Sequence, residues 1–208
     1  MQPFEFLNSE IKEVLMNLEA QDQKERAAGL DVLSRLRQIP RETGEFLFQF
    51  LLVHAHTISS EFIGLEIGTS GGYSTIWQGL ALKKIGRGKL ISLDNDPKKY
   101  NFAKENIKNA LIDEYIDLIL GDAKNYINNW PHNDLHYIFL DAEKEDYSIY
   151  YNLLKENGYL ESGVVLIVDN VISHKEDLND FLKNISGDSD VSSIVVPIGS
   201  GLTILRCI

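Results

Sequence analysis

The sequence predicts an α/β protein, a mostly parallel sheet with helices on both faces and a helical extension in front of it. Three observations carry that reading. From residue 62 onward, short apolar runs alternate with segments of helical periodicity, the pattern of parallel strands joined by crossover helices. Before that point, apolar residues recur at helical spacing. At the C-terminal end, two strand-like runs are joined through Pro197-Ile198-Gly199-Ser200-Gly201, which is too short for a crossover helix and so implies an antiparallel hairpin.

Taken in order, Ile11, Leu15 and Leu18 and then Leu30, Leu33 and Leu36 lie at helical spacing, so residues 8–37 read as helical. Pro40 punctuates the chain, and 43–56 reads as a second apolar-faced helix. Strands are expected at 62–67, 89–94, 116–120, 137–141 and 164–169. Helices are expected at 73–83, 97–109, 123–129, 147–157 and 175–184. Pro97 suits a first helical position, where its missing N–H would be unpaired anyway. The hairpin strands are expected at 192–196 and 202–207.

The 208 residues are 44% hydrophobic and 25% charged, ordinary globular composition. Neither an internal repeat nor a Pro/Gly/Ser linker divides them. One domain is the simplest organisation, with 1–57 as the helical extension and 58–208 as the core. Twenty Lys plus Arg against thirty-one Asp plus Glu give a net charge of −11, a field that repels phosphate backbones. The pairs Lys83-Lys84 and Lys98-Lys99 are too short to form a basic patch, so a nucleic-acid partner is disfavoured. A single cysteine, Cys207, excludes an intrachain disulfide and suits a reducing compartment. No apolar run reaches membrane-spanning length, and the first residues lack a basic region followed by an apolar one. The expectation is a cytoplasmic protein without a membrane partner.

In an open parallel sheet, ligands bind beyond the carboxyl ends of the strands. The first strand runs into Glu66-Ile67-Gly68-Thr69-Ser70-Gly71-Gly72-Tyr73-Ser74, a glycine-rich turn entering a helix. Such a turn brings backbone N–H groups close to a ligand and sets a positive helix end against an anion; an ordinary strand-to-helix turn has the same composition. The dinucleotide fingerprint would need glycine where Ser70 and Tyr73 stand. The second strand ends at Asp94, a carboxylate placed to accept both hydroxyls of a ribose, while Asp96, just before Pro97, reads as a helix cap. In Gly121-Asp122-Ala123, Asp122 either accepts from an adenine amino group or caps the next helix.

The fourth and fifth strands end in Asp141-Ala142-Glu143-Lys144 and Asp169-Asn170. Neighbouring strand ends would bring Asp141, Asp169 and Asn170 into one cleft, an oxygen set suited to Mg²⁺ or Ca²⁺; helix capping is the alternative. Lys144 is either a solvated surface lysine or, beside a dication that destabilises its ammonium, a base. His54 and His56 point to different helix faces, and His132 and His136 lie in a loop around Pro131. These four read as structural or surface residues. His174 either lines the cleft or is exposed.

These motifs, followed by Gly201-Leu202-Thr203, resemble in their order the cation-dependent O-methyltransferases of the caffeoyl-CoA and catechol type, over a stretch from about Ile39 to the C-terminus. The resemblance implies a Rossmann-like class I fold that binds S-adenosylmethionine, a seven-stranded sheet whose last strand runs antiparallel. It implies that Glu66, Gly68, Thr69 and Ser74 hold the methionine portion and the turn, Asp94 the ribose, and Asp122 and Ala123 the adenine. Asp141 would serve both cofactor and metal. Asp141, Asp169 and Asn170 would ligate a divalent cation, Mg²⁺ or else Ca²⁺ or Mn²⁺, and Lys144 would be the general base beside Asp141. The implied reaction is methyl transfer to a hydroxyl of a small vicinal dihydroxy aromatic acceptor, by a homodimer. The chain departs from the family in three places. The segment between Gly44 and Glu66 is longer than usual, Glu143 stands where aspartate is expected, and Ser200 occupies a position that is often acidic. Two other readings compete: a metal-independent methyltransferase of the same fold acting on another small molecule, and a non-catalytic module that binds S-adenosylmethionine.

Overall fold

The structure, a computed structural model, describes residues 3–132 and 134–208. Helix α1 (Ser9–Ala27) starts where the Asn8 side chain accepts the Ile11 N–H at 2.9 Å, and it buries Ile11, Leu15 and Leu18. Helicity stops there. Gly29 takes φ +64°, and Asp31 caps a single 3₁₀ turn at Val32–Ser34 by accepting the Leu33 N–H. Leu30 and Leu33 are exposed, so their helical spacing is fortuitous and only Leu36 of that trio is buried. Residues 28–40 therefore form an irregular strap. Helix α2 (Arg41–Thr57) begins immediately after Pro40.

The sheet contains β1 (Ile63–Ile67), β2 (Lys89–Asp94), β3 (Ile116–Leu120), β4 (Tyr137–Leu140), β5 (Val165–Val168), β6 (Val191–Val196) and β7 (Leu202–Cys207), in the order β3-β2-β1-β4-β5-β7-β6. Strands β1 to β5 are parallel to one another, and β7 runs antiparallel to both β5 and β6. The hairpin ending and the antiparallel last strand are as expected.

Helices α3 (Tyr73–Ile85), α4 (Pro97–Asn109), α5 (Ala123–Asn128), α6 (Tyr147–Glu156) and α7 (Asn179–Ser186) fill the connections. Helix α7 starts later than residue 175. The N–H groups of Val171, Ile172 and Ser173 bond to the Gly201 and Ser200 carbonyls, which holds the preceding turns against the hairpin and out of the helix.

Alternation along β4 sorts the core into two layers. Tyr137 and Phe139 pack with Leu47, Leu51, Trp77 and Ile107 under α1 to α4. Ile138 and Leu140 pack with Ile127, Tyr151 and Phe181 under α5 to α7. Helices thus cover both faces. Among the described residues no helix is long and apolar enough to cross a membrane.

The strand order reverses at β1, whose neighbours are β2 and β4, and such a switch point opens a crevice beyond the carboxyl ends. Register decides what meets there. Ile67 lies opposite Leu93 and Leu140, and Leu140 opposite Val168. The next residues along these strands are Gly68, Asp94, Asp141 and Asp169, four positions at one level of the sheet.

Candidate active site

A cleft of about 1120 Å³ opens at that level, roofed on one side by the 28–40 strap. Its floor is the glycine-rich turn. Gly68 takes φ +107°, and a Cβ there would overlap the Asp141 carbonyl. The Gly68 and Thr69 N–H groups both bond the Leu93 carbonyl, at 3.0 and 3.1 Å. Helix α3 then starts at the cleft wall, with Tyr73 and Ser74 lining it, so its unpaired first-turn N–H groups offer a site for negative charge.

Glu66 lies beneath this floor, fully buried. It accepts hydrogen bonds from the Ser74 and Ser92 hydroxyls and the Gln78 amide, each at 2.6 Å, and from the Thr75 hydroxyl. Burial pushes its pKa up against those four donors. The carboxylate ties β1, β2 and α3 together and supports the turn from behind. Thr69 turns inward, with its Oγ1 2.6 Å from Ser92 Oγ, so its backbone is what the cleft meets.

Asp94 is partly engaged: Oδ2 accepts the Ser70 N–H at 2.7 Å and Oδ1 the Asp96 N–H at 2.8 Å. Each oxygen keeps a lone pair for a diol. Asp96 caps α4 by accepting the Lys98 N–H. Asp122 caps α5 through the Asn125 N–H at 2.8 Å, as the capping reading expects, and also lines the cleft beside Ala123.

Across the switch point, Asp141 is held by its N–H to the Ile67 carbonyl and Asp169 by its N–H to the Leu140 carbonyl, both at 3.1 Å. Asn170 follows with φ +68°. Lys144 Nζ donates to Asp141 Oδ1 at 3.1 Å, to the Ala142 carbonyl at 2.8 Å and to the Tyr147 hydroxyl at 2.8 Å, three acceptors for three protons. Asp169 is 1% exposed, and its Oδ1 has no partner among the described residues. Burial, and then the charge of Asp141, push its carboxyl up to about 7, against the Asn170 N–H and Lys144.

Among the described residues no three His, Cys, Asp or Glu side chains form a metal cluster. The candidate set is two carboxylates and one carboxamide. Its chemistry nevertheless fits a hard cation, because a buried carboxylate oxygen without a donor, beside a second carboxylate, is a place where positive charge is missing.

Two residues of this site were not singled out by sequence reasoning. Tyr147 looks like one of several core aromatics in an amphipathic helix, and only the fold sets its hydroxyl on Lys144. Arg37 lies in the strap whose apolar spacing imitated a helix; its guanidinium pairs with Glu143. Of the histidines, His54 is buried with Nε2 3.0 Å from the His136 carbonyl, and His136 Nδ1 accepts the Ile63 N–H, so both are structural. His56 is exposed, and His132 packs edge-on against Trp130. His174 is exposed at the cleft edge and contacts Asp177 at 2.9 Å.

The O-methyltransferase family profile matches residues 9–208. A catechol O-methyltransferase of Mycobacterium tuberculosis is 32% identical over 124 residues, covering 60% of this chain and 54% of that protein. A caffeoyl-CoA O-methyltransferase of Medicago sativa is 25% identical over 187 residues, 79% of this chain and 72% of that one. The chain thus spans about half the length of the catechol relative and more of the second. An O-methyltransferase from Bacillus cereus, solved in complex with SAH, superposes with a TM-score of 0.76 at 24% identity, covering 97% of this chain and 91% of that one, a likeness of fold.

Proposed function

The chain belongs to the O-methyltransferase family, and from that premise we propose that it transfers a methyl group from S-adenosylmethionine to a hydroxyl of a small vicinal dihydroxy aromatic acceptor, assisted by a divalent cation. The observation that carries the proposal is the arrangement of Asp141, Asp169 with its unpartnered Oδ1, and Asn170 at adjacent strand ends, beside Lys144 and next to the Gly68 turn.

In this reading Asp94 accepts the ribose hydroxyls, Asp122 and Ala123 border the adenine, and the turn from Gly68 to Ser74 lies along the methionine portion. The sulfonium methyl is already activated by the cofactor's own chemistry, so the protein's task is alignment of oxygen, methyl carbon and sulfur. Asp141, Asp169 and Asn170 would hold the cation, whose charge favours the oxyanion of a chelating phenol that otherwise titrates near pKa 10. Lys144 is already fixed by three acceptors. In this reading Lys144, beside Asp141, is the group that would take the acceptor's proton as general base. Tyr147 and the Ala142 carbonyl keep that nitrogen in place.

Incubation with labelled S-adenosylmethionine and catechol-type acceptors, with and without chelator, tests the reading. Transfer should stop with chelator, return with Mg²⁺, and be lost in Asp169→Ala. Transfer that ignores the chelator removes the cation and favours a metal-independent enzyme; cofactor binding without turnover on a broad acceptor panel favours a binding module.

A further inference from the structure

The strap between α1 and α2 carries two buried polar atoms without partners among the described residues, both on residues that line the cleft. They are Arg35 Nε, a donor, and Gln38 Oε1, an acceptor. Arg35 differs from the other arginines of the N-terminal segment. Arg26 pairs with Asp22, Arg37 with Glu143 and Arg41 with Glu19, whereas Arg35 has no carboxylate partner among the described residues. Its backbone is set firmly. Arg35 is extended (φ −84°, ψ 158°) and donates its N–H to the Val32 carbonyl. The next residue, Leu36, is pinned on both sides, its N–H by Glu25 and its carbonyl by the Ser70 hydroxyl of the glycine-rich turn.

A guanidinium whose Nε–H is buried and unpaired is an unfavourable arrangement unless a ligand supplies the acceptor. The planar fork of arginine matches a carboxylate, which can take two parallel N–H groups. We infer that Arg35 binds a carboxylate carried by a ligand in the cleft, with Gln38 Oε1 available to a neighbouring donor group on the same ligand. The inference rests on the proposed reading, which places two small molecules there. One source of the carboxylate is the amino-acid end of the cofactor, and the other is an acid substituent on the aromatic acceptor.

Calorimetric binding to the whole chain and to Arg35→Gln separates the sources. One arm compares S-adenosylmethionine with its decarboxylated form, which keeps the ammonium. The other compares 3,4-dihydroxybenzoate with catechol, in the presence of Mg²⁺ and saturating S-adenosylhomocysteine. The expected result is that Arg35→Gln weakens one carboxylate ligand about ten- to a hundredfold while its counterpart without the carboxylate changes less than about twofold. Loss in the first arm assigns the carboxylate to the cofactor, and loss in the second assigns it to the acceptor. Arg35→Lys, a charge without the fork, should retain part of the affinity, and it carries the test if the glutamine variant fails to fold. Equal affinity of variant and parent in both arms overturns the inference, as does a parent chain that does not prefer either carboxylate ligand. Because the readout is binding, carboxylate recognition lost with Arg35 in a chain that never transfers a methyl group would sink the proposed reaction and leave this inference standing.

Discussion

Arg37 and Glu143, 106 residues apart in the chain, meet across the cleft with both terminal guanidinium nitrogens on one carboxylate. The contact joins the N-terminal strap to the loop that carries Asp141 and Lys144. The guanidinium holds Glu143 below the usual carboxylate range, and Glu143 in turn pushes Arg37 up against the opposing effect of burial. Both side chains remain partly exposed, so the pair contributes little to global stability, about 0–1 kcal/mol. Its role is local closure.

Arg37→Ala and Glu143→Ala should therefore leave the melting temperature nearly unchanged while weakening S-adenosylhomocysteine binding several-fold. The exchanged pair Arg37→Glu with Glu143→Arg should recover part of that affinity in calorimetry. Failure of the exchange to recover any would mean the ion pair itself is not what closes the strap.

Gly68→Ala should lower the melting temperature and abolish its increase on adding S-adenosylhomocysteine. The new Cβ meets the Asp141 carbonyl at a φ that L residues rarely adopt, with a strain of about 1–3 kcal/mol before the overlap is counted. Gly121 has open space around its Cα and no positive φ, so Gly121→Ala should leave the unfolding midpoint close to that of the parent.

Glu66→Ala leaves the Ser74, Thr75 and Ser92 hydroxyls and the Gln78 amide without their shared acceptor. With about 1–3 kcal/mol for each buried group left unmatched, urea denaturation should show a total loss above about 3 kcal/mol. Glu66→Gln should cost clearly less, since it keeps one oxygen and removes a buried charge. Equal losses in the two variants would show that shape, rather than the acceptor, is what the site requires.

Asp169 is a buried carboxylate pushed up to about 7 by burial and by Asp141, so at pH 8 its ionised form opposes folding. In cation-free buffer Asp169→Asn should be more stable than the parent. Mg²⁺ should then stabilise the parent, by about 2.7 kcal/mol at a hundred times Kd, and leave the variant's stability unchanged. An equal Mg²⁺ response in both would place the ion elsewhere.

Burial holds the His54 imidazole below the usual histidine value of about 6.5. A histidine depressed in the folded state contributes stability that is present above the unfolded value and lost as pH falls through the folded one. Unfolding midpoints should thus decline below about pH 6.5. His54→Gln should show a shallower decline over the same range, and an unchanged slope would assign the pH dependence to other groups.

The element pattern was legible because it is local. Alternation and helical periodicity mark β1 to β5, the hairpin and α3 to α6 without reference to anything distant, and strand ends in an open parallel sheet are where ligands bind. That alone singled out Asp94, Asp122, Asp141, Lys144, Asp169 and Asn170, and the Gly68 turn. Periodicity misled at Leu30 and Leu33, where leucines recur at helical spacing in a strap broken by Gly29 and Asp31.

What tertiary structure alone decided are contacts between distant segments. Register set Asp141 and Asp169 side by side, folding brought Arg37 to Glu143, and packing turned Glu66 inward onto four donors and left Arg35 Nε without an acceptor among the described residues. The physical reason is that backbone propensity acts over a few neighbouring residues. A hydrogen bond, an ion pair or a missing partner depends on which side chains the completed fold brings within about 3 Å of each other.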